Sequence, residues 1–266
     1  MIVFVFAAFV LVGASTPSPL ISILNGDSLD FMVSSRSDIQ AHLARGDFQS
    51  ALEMAERLIE TTESEPIFSD VIAITQAFKG VLDQLRASSR QLSLDRSGMG
   101  PLSMQRQFID SNLADTRQTI VSLCEQMWAF LHRLLNIARY SNVDEQVDYQ
   151  LSAADYMRYY VEQLRPLDER HQWALHYYDS AIANSPHLDK ALQAINSKAL
   201  LLKLMHGEAV AAEFIKPEIE NAEHHIARLL ADDMISVDEG LYLYDIVGVM
   251  KHNLSIWGDP DEWVVV

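Results

Sequence analysis

The chain is short of most of what would support disulfides, strands or a broad anion-binding surface. Its 266 residues include one cysteine, Cys124, which excludes an intrachain disulfide and fits a reducing compartment. Glycine and proline are scarce, at 10 and 8, and the Val, Ile and Thr clusters that mark strands are few. Basic residues number 20 against 37 acidic ones, and a formal charge of −17 argues against a nucleic-acid groove or an anionic membrane surface as the main partner. Any anion site must be local. There is also no Walker A loop, no glycine-rich dinucleotide turn, no HExxH and no calcium loop. No nucleophile with a base, and no paired-carboxylate site, is legible, so neither a metal, a cofactor nor an enzymatic activity is expected.

What is present is apolar and helix-forming. Hydrophobic residues make up 49% of the chain, enough for a large core, and Leu, Ala, Met, Gln and Glu are frequent. The expected class is all-α. From Ser37 onward apolar residues recur at helical spacing, with breaks where Gly, Pro, Asn or Asp cluster. The pattern predicts about nine helices, over 36–45, 47–63, 68–94, 102–139, 143–165, 167–184, 186–206, 208–231 and 236–257. Ser185 followed by Pro186 reads as an N-cap with proline at the first helical position, and Ser236 with Glu239 reads as a capping box. Gly98 to Pro101 separates two long helices, and Pro217 implies a kink or a split. Short connections imply antiparallel neighbours. The stretch "ARGDFQSALEMAERLIE" looks like one tetratricopeptide helix pair, but no 34-residue period repeats it.

The first residues, "MIVFVFAAFVLVGASTPSPL", form an apolar run of signal-peptide length followed by small residues, with no Lys or Arg before the run. The run is short for a bilayer span. Three readings stay open for residues 1–35: a secretory signal or anchor, an extension, or translation that starts at Met32. The expected organisation is this extension, a helical domain over 36–258, and a short acidic and apolar tail over 259–266.

Several residue patterns invite a chemical reading. The adjacent histidines of "EHHI", His224 and His225, point about 100° apart on a helix and do not chelate one metal easily, so they are expected at the surface. Cys124 lies among Leu123, Met127, Phe130 and Leu131 at helical spacing and is expected to be a buried structural thiol. In "SAADYMRYYVEQL", Arg158 stands between Tyr156 and the pair Tyr159 and Tyr160; its charge either snorkels outward or meets an anion. Lys79 and Arg86 are seven residues apart and share one helical stripe. Asn196 interrupts an apolar helix, and Asn253 and Trp257 are four apart on another. Taken singly, the cations fit a solvated face, the asparagines local hydrogen bonding, and the tryptophan core or rim.

Taken together, these stretches resemble the 14-3-3 family. That family's A-Y-K-N-V-V-G-A-R-R-S-S-W-R is matched without a gap by Ala77, Phe78, Lys79, Val81, Arg86, Ser88 and Arg90. Its D-Y-Y-R-Y is matched by Asp155, Tyr156, Met157, Arg158 and Tyr159, and its L-A-L-N by Gln193, Ala194, Ile195 and Asn196, with His187 nine residues earlier. D-N-L-T-L-W corresponds to the six residues from His252 to Trp257, and I-C-N-D-V-L to the six from Leu123 to Trp128. The resemblance covers residues 36–258. It implies a single domain of nine antiparallel helices around a concave amphipathic groove, and a non-enzymatic adaptor that binds phosphoserine or phosphothreonine in client proteins. Carried over, Lys79, Arg86, Arg158 and Tyr159 hold the phosphate and Asn196 and Asn253 clamp the peptide backbone. Ile195, Val249, Ile256 and Trp257 correspond to the groove's apolar wall. A homodimer and a cytoplasmic location are further expectations from the family, the secretory pathway being the alternative if residues 1–20 act as a signal. A groove-bound helical scaffold without phosphate recognition is the alternative function.

Departures from the family pattern are also visible. Leu151 stands where the family has a lysine, and Lys203 where it has an acidic residue. The connection after Leu164 is shorter than usual, and the stretch from Gly207 to Pro217 is longer. Ser88, at a position that some members phosphorylate, is expected to be unmodified. The tail "GDPDEWVVV" is expected to compete weakly for the chain's own groove.

Overall fold

The computed structural model describes residues 26–61, 68–100, 104–137, 142–163 and 170–257. Among these, every regular element is a helix: α1 (Gly26–Ala44), α2 (Phe48–Thr61), α3 (Phe68–Ser97), α4 (Met104–Ile137), α5 (Val143–Gln163), α6 (Arg170–Asn184), α7 (Leu188–His206), α8 (Glu208–Ala231) and α9 (Val237–Trp257). Consecutive helices pack on one another, and α1 with α3, α5 with α7, and α7 with α9 add further contacts.

The helices form because their apolar residues fall on one face. In α2, Ala51, Leu52, Ala55 and Leu58 are buried while Glu53, Arg57 and Glu60 are exposed. In α8 the buried set is Ala211, Ile215, Ile219, Ala222 and Ile226, and in α9 it is Leu243, Val247, Met250, Leu254 and Trp257. These stripes assemble two cores. The larger draws on α1 to α6 and is centred on Phe78, Ile120, Met127, Leu131, Met157 and Tyr178; the smaller joins α7, α8 and α9. Helix α7 serves both, with Ala194 and Leu201 in the larger core and Leu192, Ile195 and Ala199 in the smaller.

Several boundaries differ from the sequence reading, each for a local reason. Helix α1 extends back to Gly26, ten residues before the expected start at 36, so Met32 lies inside it. Helix α3 runs on to Ser97, where Arg96 pairs with Asp110 of α4. Helix α7 begins at Leu188 with His187 as N-cap, because Ser185 Oγ donates to the His187 carbonyl and accepts from its N–H, closing a turn ahead of the helix. Pro217 does not split α8. The stretch from Gly207 to Pro217 is almost entirely helical, and Gly207 alone, at φ 92°, connects α7 to α8. The Ser236 and Glu239 box forms as expected: Ser236 N–H donates to Glu239 Oε2 at 2.8 Å and Glu239 N–H donates to Ser236 Oγ at 3.2 Å. The expected helix ends at 63, 102, 139, 165 and 167, the apolar run 1–20, the connection just after Leu164 and the tail 258–266 lie outside the described residues.

The expectations for single residues can be placed directly. Cys124 is fully buried, and burial pushes its thiol far above the ordinary range. His224 is exposed and bonds the Glu220 carbonyl, while His225 bonds Arg228. No group of three potential metal ligands occurs among the described residues. No described helix is long and apolar enough to cross a membrane.

Candidate functional site

Two helices supply the cations. On α3, Lys79, Asp83 and Arg86 follow one another at spacings of four and three residues, so they form a single stripe. On α5, Asp155, Arg158 and Glu162 do the same. The helices are tied together below this surface, where the Tyr156 hydroxyl donates to the Thr75 carbonyl at 3.0 Å. Tyr156 therefore packs and tethers while the next turn of α5 carries the charge.

Glu162 joins the two stripes. Its Oε2 accepts from Arg86 Nη2 at 2.8 Å and from Nε at 3.2 Å, and its Oε1 accepts from Arg158 Nη1 at 2.7 Å. Arg158 is 6% exposed. Its Nη2 donates to Asp155 Oδ1 at 3.3 Å and its Nε to the Tyr178 hydroxyl at 3.2 Å, while Tyr178 donates to the same Asp155 oxygen at 2.6 Å. Burial alone disfavours the charge on Arg158, but Tyr178, Asp155, Tyr159 and Glu162 outweigh it and raise its pKa well above the ordinary value. The guanidinium stays charged because every side of it is answered.

Both arginines lie against Tyr159. The Arg86 guanidinium carbon is 4.0 Å from its ring centroid and that of Arg158 is 4.5 Å away. Burial and the Asp155 charge raise the Tyr159 pKa against the pull of the cations, so it is a neutral donor. Among the described residues its hydroxyl makes no hydrogen bond. Lys79 is further out, with a side chain 57% exposed, and pairs with Asp83. Its pKa is raised: partial burial works against the charge and the Asp83 hydrogen bond and charge overcome it.

The peptide-clamp candidates also meet. Asn253 Nδ2 on α9 donates to Asn196 Oδ1 on α7 at 2.8 Å. The four apolar candidates divide: Val249 and Ile256 are 52% and 56% exposed, whereas Ile195 and Trp257 are buried in the smaller core. Lys203 lies 5.4 Å over the Trp257 ring and pairs with Glu208 at 2.9 Å. Leu151, in the place of a lysine, packs against the larger core.

Sequence reasoning overlooked the anionic half of the site. Asp83, Asp155 and Glu162 each stand three or four residues from a cation already singled out, and helical spacing alone was signal enough to find them. Tyr178 carried no such signal, since it reaches Arg158 from a different helix, twenty residues along the chain. Tyr242 was missed as well: it is 51% exposed and precedes Val249 and Ile256 at heptad spacing, so it continues their stripe along α9.

A family model described as 14-3-3 protein matches residues 47–258. No curated protein matches the chain. With the family model spanning most of the sequence and nine helices in the expected order among the described residues, the chain belongs to the 14-3-3 family.

Proposed function

We propose that the protein is a phosphoserine- or phosphothreonine-dependent adaptor that binds phosphorylated client proteins, with no enzymatic activity of its own. The observation that carries this reading is the convergence of Arg86 and Arg158, from separate helices, on one carboxylate, with both guanidiniums against the ring of Tyr159. That geometry is suited to an oxyanion. A phosphate near −2 accepts bidentate bonds from guanidinium, and the Tyr159 hydroxyl and Lys79 ammonium add a neutral and a charged donor. Charge-assisted bonds contribute on the order of 1.5 to 3 kcal/mol each. Two or three of them supply much of the roughly 8 kcal/mol that micromolar binding requires. Asn196 and Asn253 suit the backbone of the same ligand, because their mutual bond leaves Asn196 Nδ2 as a donor and Asn253 Oδ1 as an acceptor. Val249 and Ile256 offer apolar surface to its side chains.

The test compares one peptide in phosphoserine and serine forms by fluorescence anisotropy. We expect at least a roughly tenfold preference for the phosphorylated form, the loss of one such contact, and a loss of similar size on Arg86→Ala. Equal binding of the two forms would overturn the reading. One observation favours a second reading, a groove scaffold that ignores phosphate: the three cations already face three carboxylates, Asp83, Asp155 and Glu162. In that case both peptide forms bind alike and Val249→Asp weakens both. A homodimer and a cytoplasmic location belong to the leading proposal on the family's pattern, and size-exclusion chromatography with light scattering tests the first of them.

A further inference from the structure

The carboxylates of the site are not equivalent. Glu162 and Asp155 are built into it: Glu162 bridges the two arginines with a side chain 19% exposed, and Asp155 is held by both Arg158 and the buried Tyr178. Asp83 stands at the mouth, 46% exposed, and its partners are Lys79 and Arg86. Oδ2 accepts from Lys79 Nζ at 2.5 Å, and Oδ1 lies 3.8 Å from Arg86 Nη1. Each of its oxygens thus addresses a different cation, so it sits where an incoming phosphate would bridge them. The motif that identifies α3 has glycine at this position, so the carboxylate is this chain's own feature.

An exposed ion pair of this kind is weak and can open. What replaces it then depends on the charge of the newcomer. A ligand carboxylate carries one charge and exchanges like for like, with its own ordering to be met in addition. A phosphate brings close to two charges and three acceptor oxygens, and so gains on exchange. Resting on the phosphopeptide reading, we infer that Asp83 is a specificity-determining carboxylate that occupies the cleft between Lys79 and Arg86 and excludes singly charged acidic side chains while admitting a phosphate. It acts by competition and by repulsion, without contributing a contact to the bound ligand. Acidic stretches of unmodified proteins are thereby kept out of the groove.

The experiment titrates the full chain with one fluorescent peptide carrying phosphoserine, glutamate or serine at the same position. Wild type is compared with Asp83→Asn and Asp83→Gly, at low and at high salt, with thermal unfolding as the check on folding. In wild type the glutamate peptide binds no better than the serine peptide. Both variants bind the phosphoserine peptide roughly three- to tenfold more tightly, the range that removing one partly exposed like charge supplies. In both, the glutamate peptide rises above the serine peptide. The gain shrinks at high salt, as it must for an exposed charge and would not for a packing change. Unchanged or weaker phosphoserine binding in both variants overturns the inference, and so does a glutamate peptide that stays at the serine level in both. The wild-type arm separates the two claims: if it does not distinguish phosphoserine from serine, the phosphopeptide reading fails and this inference with it, whereas a failure confined to the variants removes only Asp83.

Discussion

Arg158 is buried in the ion-pair network and is also one of the residues proposed to hold the phosphate, so replacing it by alanine tests both roles. The substitution removes a buried guanidinium that donates to Glu162 at 2.7 Å, to Asp155 at 3.3 Å and to Tyr178 at 3.2 Å. Breaking a buried ion pair by deleting one partner costs about 3 to 5 kcal/mol when the other charge is stranded. Here neither carboxylate is stranded, because Glu162 keeps Arg86 at 2.8 Å and Asp155 keeps the Tyr178 hydroxyl at 2.6 Å. The expected loss therefore falls below that range, at about 2 to 3 kcal/mol. For a chain of this size it corresponds to a fall in Tm of roughly 5 to 10 °C. Circular dichroism at the helix band during thermal and urea unfolding measures it, and peptide anisotropy on the same preparations measures binding. Arg158→Lys retains a charge without the planar fork, so it should recover part of the stability and less of the phosphate selectivity. A variant Arg158→Ala that melts within about 1 °C of wild type would refute the network argument, since that shift is worth well under 1 kcal/mol. One that is destabilised yet binds phosphopeptide normally would assign Arg158 to folding alone.

Three further outcomes follow from burial and packing. A Cβ on Gly80 would overlap the ring of Phe48, so Gly80→Ala should destabilise by about 1 to 2 kcal/mol despite alanine's better helix propensity; on a Phe48→Ala background the sign should reverse, and additivity in urea unfolding would refute the contact. Cys124 is fully buried with its thiol pushed up, so an aromatic disulfide reagent should label one thiol in denaturant and none in the native state; native labelling at the denatured rate would contradict the core placement. Burial raises the pKa of Tyr156, Tyr159, Tyr177 and Tyr178, and lifts Tyr149 to about 12. Their folded values exceed the unfolded one, so the stability linked to them is complete below about pH 10 and is lost as pH rises through the folded values. Absorbance titration at the phenolate band should show native ionisation delayed relative to the denatured chain, with a falling Tm over the same window; coincident titrations would refute it.

How far the sequence could be read depended on whether a signal was local. Helix number, the capping box at Ser236 and the shared stripe of Lys79 and Arg86 are all consequences of spacing within one helix, and all appear in the structure. The start of α7 was misjudged because Ser185 had two local uses for its hydroxyl, a cap or a turn, and the turn prevailed. How the four apolar candidates divide between core and surface is not legible in one helix. Ile195 and Trp257 share the apolar character of Val249 and Ile256, but which of them faces the smaller core depends on how α7, α8 and α9 pack, and a single helix does not encode that. Tyr178 was illegible in the same way, since its partner is chosen by the packing of α6 on α5.

The sequence also suggested a cationic pocket in an acidic protein, and the structure replaces that picture with a balanced one. A guanidinium as buried as that of Arg158 requires its charge to be met, or the fold would be strongly destabilised. The carboxylates that meet it come from the same helices at spacings of three and four residues, so the solution is local and does not alter the packing of the cores. The consequence is that an anion is not drawn to this site by a surplus of positive charge. On the proposed function it exchanges with a carboxylate already in place, against a protein whose overall charge is negative. Under those terms selectivity depends on how many charges and acceptor atoms the newcomer brings to two fixed guanidiniums, one lysine and one free phenol. The ring of Tyr159 is in contact with both arginines and Glu162 bridges them, so the exchange inferred above falls to Asp83 at the mouth and leaves that bridge in place.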